Sequence, residues 1–136
     1  MNDPTEIYCP VRKKWVVNTP EEQVRQSLIK YLHLECGAPL HLMTCEYPLS
    51  LNGRSFRADL VLHDRRGQPL LLVECKAPEV KLGAAVTAQL QLYNTVLHAP
   101  YLMISNGREL YLCQYQPTDG RYIFLPRIPT FDQLCL

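Results

Sequence analysis

The chain has 136 residues, 47% apolar and 20% charged, which is the size and make-up of one ordinary globular domain able to bury a core without metal or disulfide staples. Fourteen Lys and Arg against thirteen Asp and Glu leave a net charge of +1, so no global field draws the protein to nucleic acid, and a polyanion partner needs a local basic patch. The six cysteines, at 9, 36, 45, 75, 113 and 135, form no CxxC pair and no zinc-like spacing, which argues against a zinc or thiol-redox protein and for buried free thiols in a reducing cytosol.

Met1 to Pro10 lack the basic-then-apolar pattern of a secretory leader, so a cytoplasmic protein is expected. Residues 1–18 read as an N-terminal arm. Within it Val11 to Val17 read as an edge strand, because Trp15, Val16 and Val17 favour extended structure, and Arg12, Lys13 and Lys14 make it basic. Residues 19–126 read as the folded domain. A helix starts at Thr19-Pro20: Thr19 suits the N-cap, Pro20 the first helical position, and Glu22 a capping box. Val24, Leu28, Tyr31 and Leu32 share one stripe, and Gly37 and Pro39 end the helix.

Strands alternating with turns follow. Leu42 to Leu49 leads into a turn at Asn52-Gly53; Arg57 to His63 and Leu70 to Lys76 flank a turn at residues 64–69; Pro78 closes the run. The longest aliphatic stretch, Leu70 to Val73, falls far short of the roughly 20 apolar residues of a membrane span, so no membrane contact is expected. A second helix over residues 83–98 puts Val86, Leu90, Tyr93 and Leu97 on one face and stops before Pro100. Tyr101 to Ser105, a tight turn at Asn106-Gly107 and Glu109 to Gln116 read as a hairpin, with Tyr122 to Leu125 as a further edge. Residues 127–136, after Pro126 and containing Pro129, read as a C-terminal tail. The order of elements predicts an α/β (α+β) fold with a central mixed β-sheet flanked by helices.

Chemistry concentrates on the hairpin across residues 64–69. With the turn centred between Arg66 and Gly67, Asp59 stands opposite Glu74 and Val61 opposite Leu72, and strand alternation puts Glu74 and Lys76 on the face of Asp59. Two carboxylates roughly 5 Å apart across strands repel by about 1 kcal/mol in water and by several near a protein surface, a cost that a divalent cation reverses. Few carboxylates with open positions for water and phosphate suit Mg²⁺. A neighbouring ammonium can hold an attacking water or stabilise charge developing on a phosphate. The bland alternative is that charged residues end strands as they reach water. Against it, Glu74 and Lys76 sit where a buried strand emerges from four aliphatic residues.

Arg57-Ala58-Asp59-Leu60-Val61, followed by Leu72-Val73-Glu74-Cys75-Lys76-Ala77-Pro78, resembles the PD-(D/E)xK nuclease superfamily. More closely, the chain resembles the N-terminal nuclease domain of type I restriction enzyme restriction subunits and its small stand-alone relatives. Thr19-Pro20-Glu21-Glu22, Val24-Arg25-Gln26, Pro100-Tyr101 and Asn106-Gly107 extend the resemblance over nearly the whole chain; Ala58 stands where the family carries a proline that many members lack. The resemblance implies a restriction-endonuclease-like fold and Mg²⁺-dependent hydrolysis of DNA, with Mn²⁺ as a substitute. It implies Asp59, Glu74 and the carbonyl of Cys75 as metal ligands and Lys76 as the residue serving the attacking water. The family often adds an acid from the first helix. Glu21, on the face of Val24 and Leu28, is favoured for it over Glu22, whose bland role is capping. Gln89 and Tyr93, four apart on one helix face, match a motif of related nucleases that orders the site or touches DNA.

Arg54 and Arg57 flank the hairpin and Lys81 and Arg108 lie on loops, all candidate phosphate contacts, although such residues are more often solvated surface charges; the histidines at 33, 41, 63 and 98 show no ligand spacing. No GxxxxGK[ST] loop occurs, so motor or modification subunits would come from other chains. The second expectation, favoured by the near-neutral charge, is a catalytically silent nuclease-like module for DNA binding or assembly.

Overall fold

The computed structural model describes residues 5–136. Part of the expected arm, and part of the stretch from Met1 to Pro10 read as lacking a leader, therefore fall outside the described residues. The chain opens with a hairpin of β1 (Glu6–Cys9) and β2 (Lys14–Val17), followed by α1 (Pro20–Leu34) and a 3-10 turn at Leu40–Leu42. Three strands come next, β3 (Met43–Leu51), β4 (Arg54–His63) and β5 (Pro69–Cys75). After them run α2 (Ala84–Leu97), β6 (Tyr101–Ser105), β7 (Leu110–Gln116), β8 (Arg121–Phe124) and α3 (Phe131–Leu134).

β3 to β8 form one six-stranded mixed sheet in sequence order. Every neighbouring pair is antiparallel except β5 and β6, and the crossover a parallel pair requires is α2. The central strands are covered on both faces, which explains their unbroken aliphatic runs. On one face Leu60, Leu62, Leu71, Val73 and Met103 pack with Val24, Leu28, Ile29 and Leu32 of α1. On the other Val61, Leu72, Leu102 and Ile104 pack with Leu90, Tyr93 and Leu97 of α2. Among the described residues, no helix is long and apolar enough to cross a membrane.

Local signals account for the elements. Thr19 caps α1 by accepting from the Glu22 N–H at 3.0 Å, and Pro20 begins the helix. The other half of the expected capping box does not form, because the Glu22 carboxylate is taken by Arg12, Arg25 and Gln26. Asn52 and Gly53, both at positive φ, close the β3–β4 turn.

Two terminal segments differ from expectation. β2 pairs with β1 in a sheet of its own and does not extend the main one. A tight turn, with Lys13 at φ +56° and its N–H on the Cys9 carbonyl at 2.7 Å, satisfies these strands locally, while Cys9 is buried in the α1-side core. Residues 127–136, expected as a tail, end in α3, where Thr130 and Gln133 form a capping box. Phe131 and Leu134 are buried in the same core, and the Phe131 N–H donates to the Cys36 carbonyl at 2.7 Å.

Candidate active site

The β4–β5 ladder pairs Leu60 with Val73, Val61 with Leu72 and Leu62 with Leu71, the register expected from the turn. Asp64 builds that turn, its Oδ1 accepting from the N–H groups of Arg66 and Gln68, both at 2.9 Å. Beyond Leu60 the ladder stops. Asp59 does not pair directly with Glu74; its Oδ2 accepts from the Cys75 N–H at 2.7 Å instead. The same register would set Arg57 opposite Lys76, and that pair does not form either. Arg57 pairs with Pro48 on β3, whereas the Lys76 N–H follows β6 and donates to the Ser105 carbonyl at 2.9 Å. The hairpin opens at its end because β4 stays with β3 while β5 stays with β6.

Asp59 and Glu74 lie in this opening, each only 8% exposed. Glu74 Oε1 is 3.9 Å from Lys76 Nζ, and Oε2 is buried with no hydrogen-bond donor among the described residues. Burial first, then the adjoining Asp59 carboxyl, push Glu74 up to about 9, against the pull of Lys76. Burial beside Asp59 thus favours the protonated form of Glu74. A buried acid pair with a donorless oxygen fits a hard divalent cation, which would take the place of that proton. Among the described residues no three His, Cys, Asp or Glu side chains gather to hold a metal. Asp59 and Glu74 would therefore leave most coordination positions to water and phosphate, as Mg²⁺ prefers. Cys75 brings its N–H to Asp59, and its buried thiol is pushed well up by burial, so sulfur chemistry is disfavoured there.

The helices supply the walls. Glu21, in the first turn of α1, is solvent-exposed and does not point into the core as its helix face predicted, yet it feels the site. Its carboxyl is pushed up by partial burial and by Asp59, and pulled down by Lys76 and Arg25. Glu22 is the buried acid of the two and belongs to an ion network. From α2, Gln89 Nε2 donates to the Tyr93 hydroxyl at 3.1 Å, and the Tyr93 ring packs on Phe56 at 5.3 Å. Burial, then Glu74 and Asp59, raise the Tyr93 hydroxyl, which puts this pair on the same cluster. Arg54 and Arg57 remain exposed on the outer part of β4, away from the β5 ladder.

Sequence reasoning assigned no role to Arg25. Its guanidinium, 6% exposed, donates to both Glu22 oxygens at 3.1 Å, to Glu46 Oε1 at 2.8 Å and to the Asp59 carbonyl at 3.0 Å. Arg12 of the N-terminal hairpin reaches the same Glu22 at 2.7 Å. The available signal was Arg25 and Gln26 interrupting the apolar stripe three and four residues after Glu22. Asn106 was likewise read only as a turn residue; its Nδ2 also donates to the Val80 carbonyl at 2.8 Å, tying down the loop after Lys76.

A family model described as the type I restriction enzyme R protein N terminus matches residues 20–129. The fold is also similar to a fragment structure described as an HsdR subunit of a type I restriction enzyme from Vibrio vulnificus YJ016, with 22% identity and a TM-score of 0.60. That match covers 85% of this chain and 24% of the other, so this chain spans a minor part of that relative's length. No curated protein matches.

Proposed function

The chain belongs to the family of type I restriction enzyme R protein N termini, and from that premise we propose that it is a Mg²⁺-dependent endonuclease-type domain hydrolysing DNA phosphodiester bonds. The observation that carries the proposal is the buried Asp59–Glu74 pair, with a donorless Glu74 oxygen and Lys76 alongside.

Asp59 and Glu74 would hold the cation, joined by the Cys75 carbonyl. A bound Mg²⁺ lowers the pKa of water and polarises a phosphoryl oxygen. Lys76 would hold the attacking water and offset charge building on the phosphate. Glu21, exposed at the mouth, is the accessory acid, and the Gln89–Tyr93 pair orders the α2 wall against the cluster. Arg54 and Arg57, both exposed on β4, would meet phosphates further along a DNA strand. The remaining partners would be motor or modification subunits on other chains, in the cytoplasm.

Plasmid and linear DNA incubated with Mg²⁺ or Mn²⁺ should be cut by the wild type and left intact by Asp59→Ala and Lys76→Ala. Absence of cutting by the wild type with either metal would remove the enzymatic reading. The second reading, a silent module for DNA binding or assembly, is favoured by the net charge of +1. Calorimetry separates the two, since a silent module with Asp59 and Glu74 intact would bind no divalent cation.

A further inference from the structure

The β3–β4 ladder pairs Cys45 with Leu60 and Tyr47 with Ala58, but the rung between them, Glu46 against Asp59, is missing. Glu46 has φ +55°, a conformation that costs a non-glycine residue on the order of 1–3 kcal/mol and persists only where the surroundings enforce it. Strand alternation slips at the same rung. Cys45 and Leu60 pack on the α1 side, while Tyr47 and Ala58, two residues along, pack on the α2 side. The guanidinium of Arg25 occupies the gap. One nitrogen, Nη1, donates to the Glu46 carboxylate of β3 and to the Asp59 carbonyl of β4. The other two are fixed by Glu22, which Arg12 and Gln26 hold in turn.

We infer that Arg25 is a positioning residue for Asp59. It bridges the two strands at their broken rung and, by holding the Asp59 main chain, sets the carboxylate against the Cys75 N–H. The planar fork suits this task, since three nitrogens meet acceptors on α1, β3 and β4 at once. A lysine ammonium is a point donor and can satisfy only part of the set. Arg12 extends the same relay to the N-terminal hairpin, so docking of β1 and β2 supports the geometry of Asp59 through Glu22. The relevance of this clamp to cleavage rests on the proposed nuclease reading, but its effect on Asp59 does not.

The test follows the Cys75 amide by NMR in the full chain, alongside Mn²⁺ calorimetry, for the wild type, Arg25→Met, Arg25→Lys, Glu46→Gln and Leu28→Ala, with Asp59→Asn as the reference for a disturbed carboxylate. Arg25→Met should move the Cys75 amide shift toward that of Asp59→Asn and lower its exchange protection. It should also weaken Mn²⁺ binding by about tenfold or more, as losing the support behind a metal ligand does. Arg25→Lys should recover part of each change. Leu28→Ala, which weakens the same α1-side core without removing any contact of the clamp, should leave the amide shift in place. An unchanged Cys75 amide in Arg25→Met, or an equal change in Leu28→Ala, overturns the inference. If Arg25→Met does not fold, Arg25→Lys and Glu46→Gln decide by the same criterion. A wild type that neither binds Mn²⁺ nor cuts DNA removes the nuclease reading and leaves the amide result to judge the clamp alone.

Discussion

Replacing Glu74 by Gln should flatten a specific part of the pH dependence of stability. In the folded, metal-free protein Glu74 titrates at about 9, against an ordinary value of 4.5. Between those values the folded state holds a proton that the unfolded state has lost. The favourable contribution of Glu74 is fully present below about pH 4.5 and is lost as pH rises toward 9, with a slope of at most about 1.4 kcal/mol per pH unit. For a domain of this size that corresponds to roughly 3–5 °C in melting temperature per pH unit. A neutral glutamine carries no such slope. Melting followed by circular dichroism in chelator-containing buffers across this range should show Glu74→Gln gaining on the wild type steadily as pH rises, since the other titrating groups are common to both. Saturating Mg²⁺ should restore the wild type at high pH and do little for the variant. Parallel melting profiles for the two proteins would refute the claim that burial and Asp59 hold the proton on Glu74.

The same proton should appear in calorimetry. Mg²⁺ or Mn²⁺ binding near pH 7 should release about one proton per cation, read from the dependence of the binding heat on buffer ionisation enthalpy, and Asp59→Ala should abolish the release with the binding. Phe131→Ala should destabilise the protein by about 3–5 kcal/mol in urea unfolding, although its residue lies in the last six positions, because its ring is buried against the core beneath Arg65. Tyr93→Phe should keep stability within about 1 kcal/mol of the wild type, since it removes one hydroxyl contact with Gln89, while slowing DNA cleavage by disturbing the α2 wall of the site.

Much of the architecture was legible because its signals are local. The cap at Thr19, the turn residues Asn52-Gly53 and Asn106-Gly107, and the two helical stripes marked the elements in order. The turn after His63 determined the pairing of Val61 with Leu72, and so which end of the hairpin receives Asp59, Glu74 and Lys76. A strand has a period of two and a hairpin has one turn, so register follows from neighbours in the chain. Even α3 carried a local sign, the Thr130–Gln133 capping box, that the prolines before it masked.

Only the tertiary structure decided what surrounds those residues. Whether a carboxyl titrates near 4.5 or near 9 depends on what buries it, and for Glu74 that is a neighbouring strand together with the side chain of Asp59. The relay from Arg12 through Glu22 and Arg25 to Glu46 and Asp59 joins residues up to 47 positions apart in numbering, from the N-terminal hairpin, α1, β3 and β4. Spacing along the chain carries no record of which distant charges will share a dry interior. The sequence by itself determined which side chains arrive at the end of the hairpin; packing decided how they are held there and how tightly Glu74 holds its proton, because dielectric and hydrogen-bond partners are properties of the assembled fold.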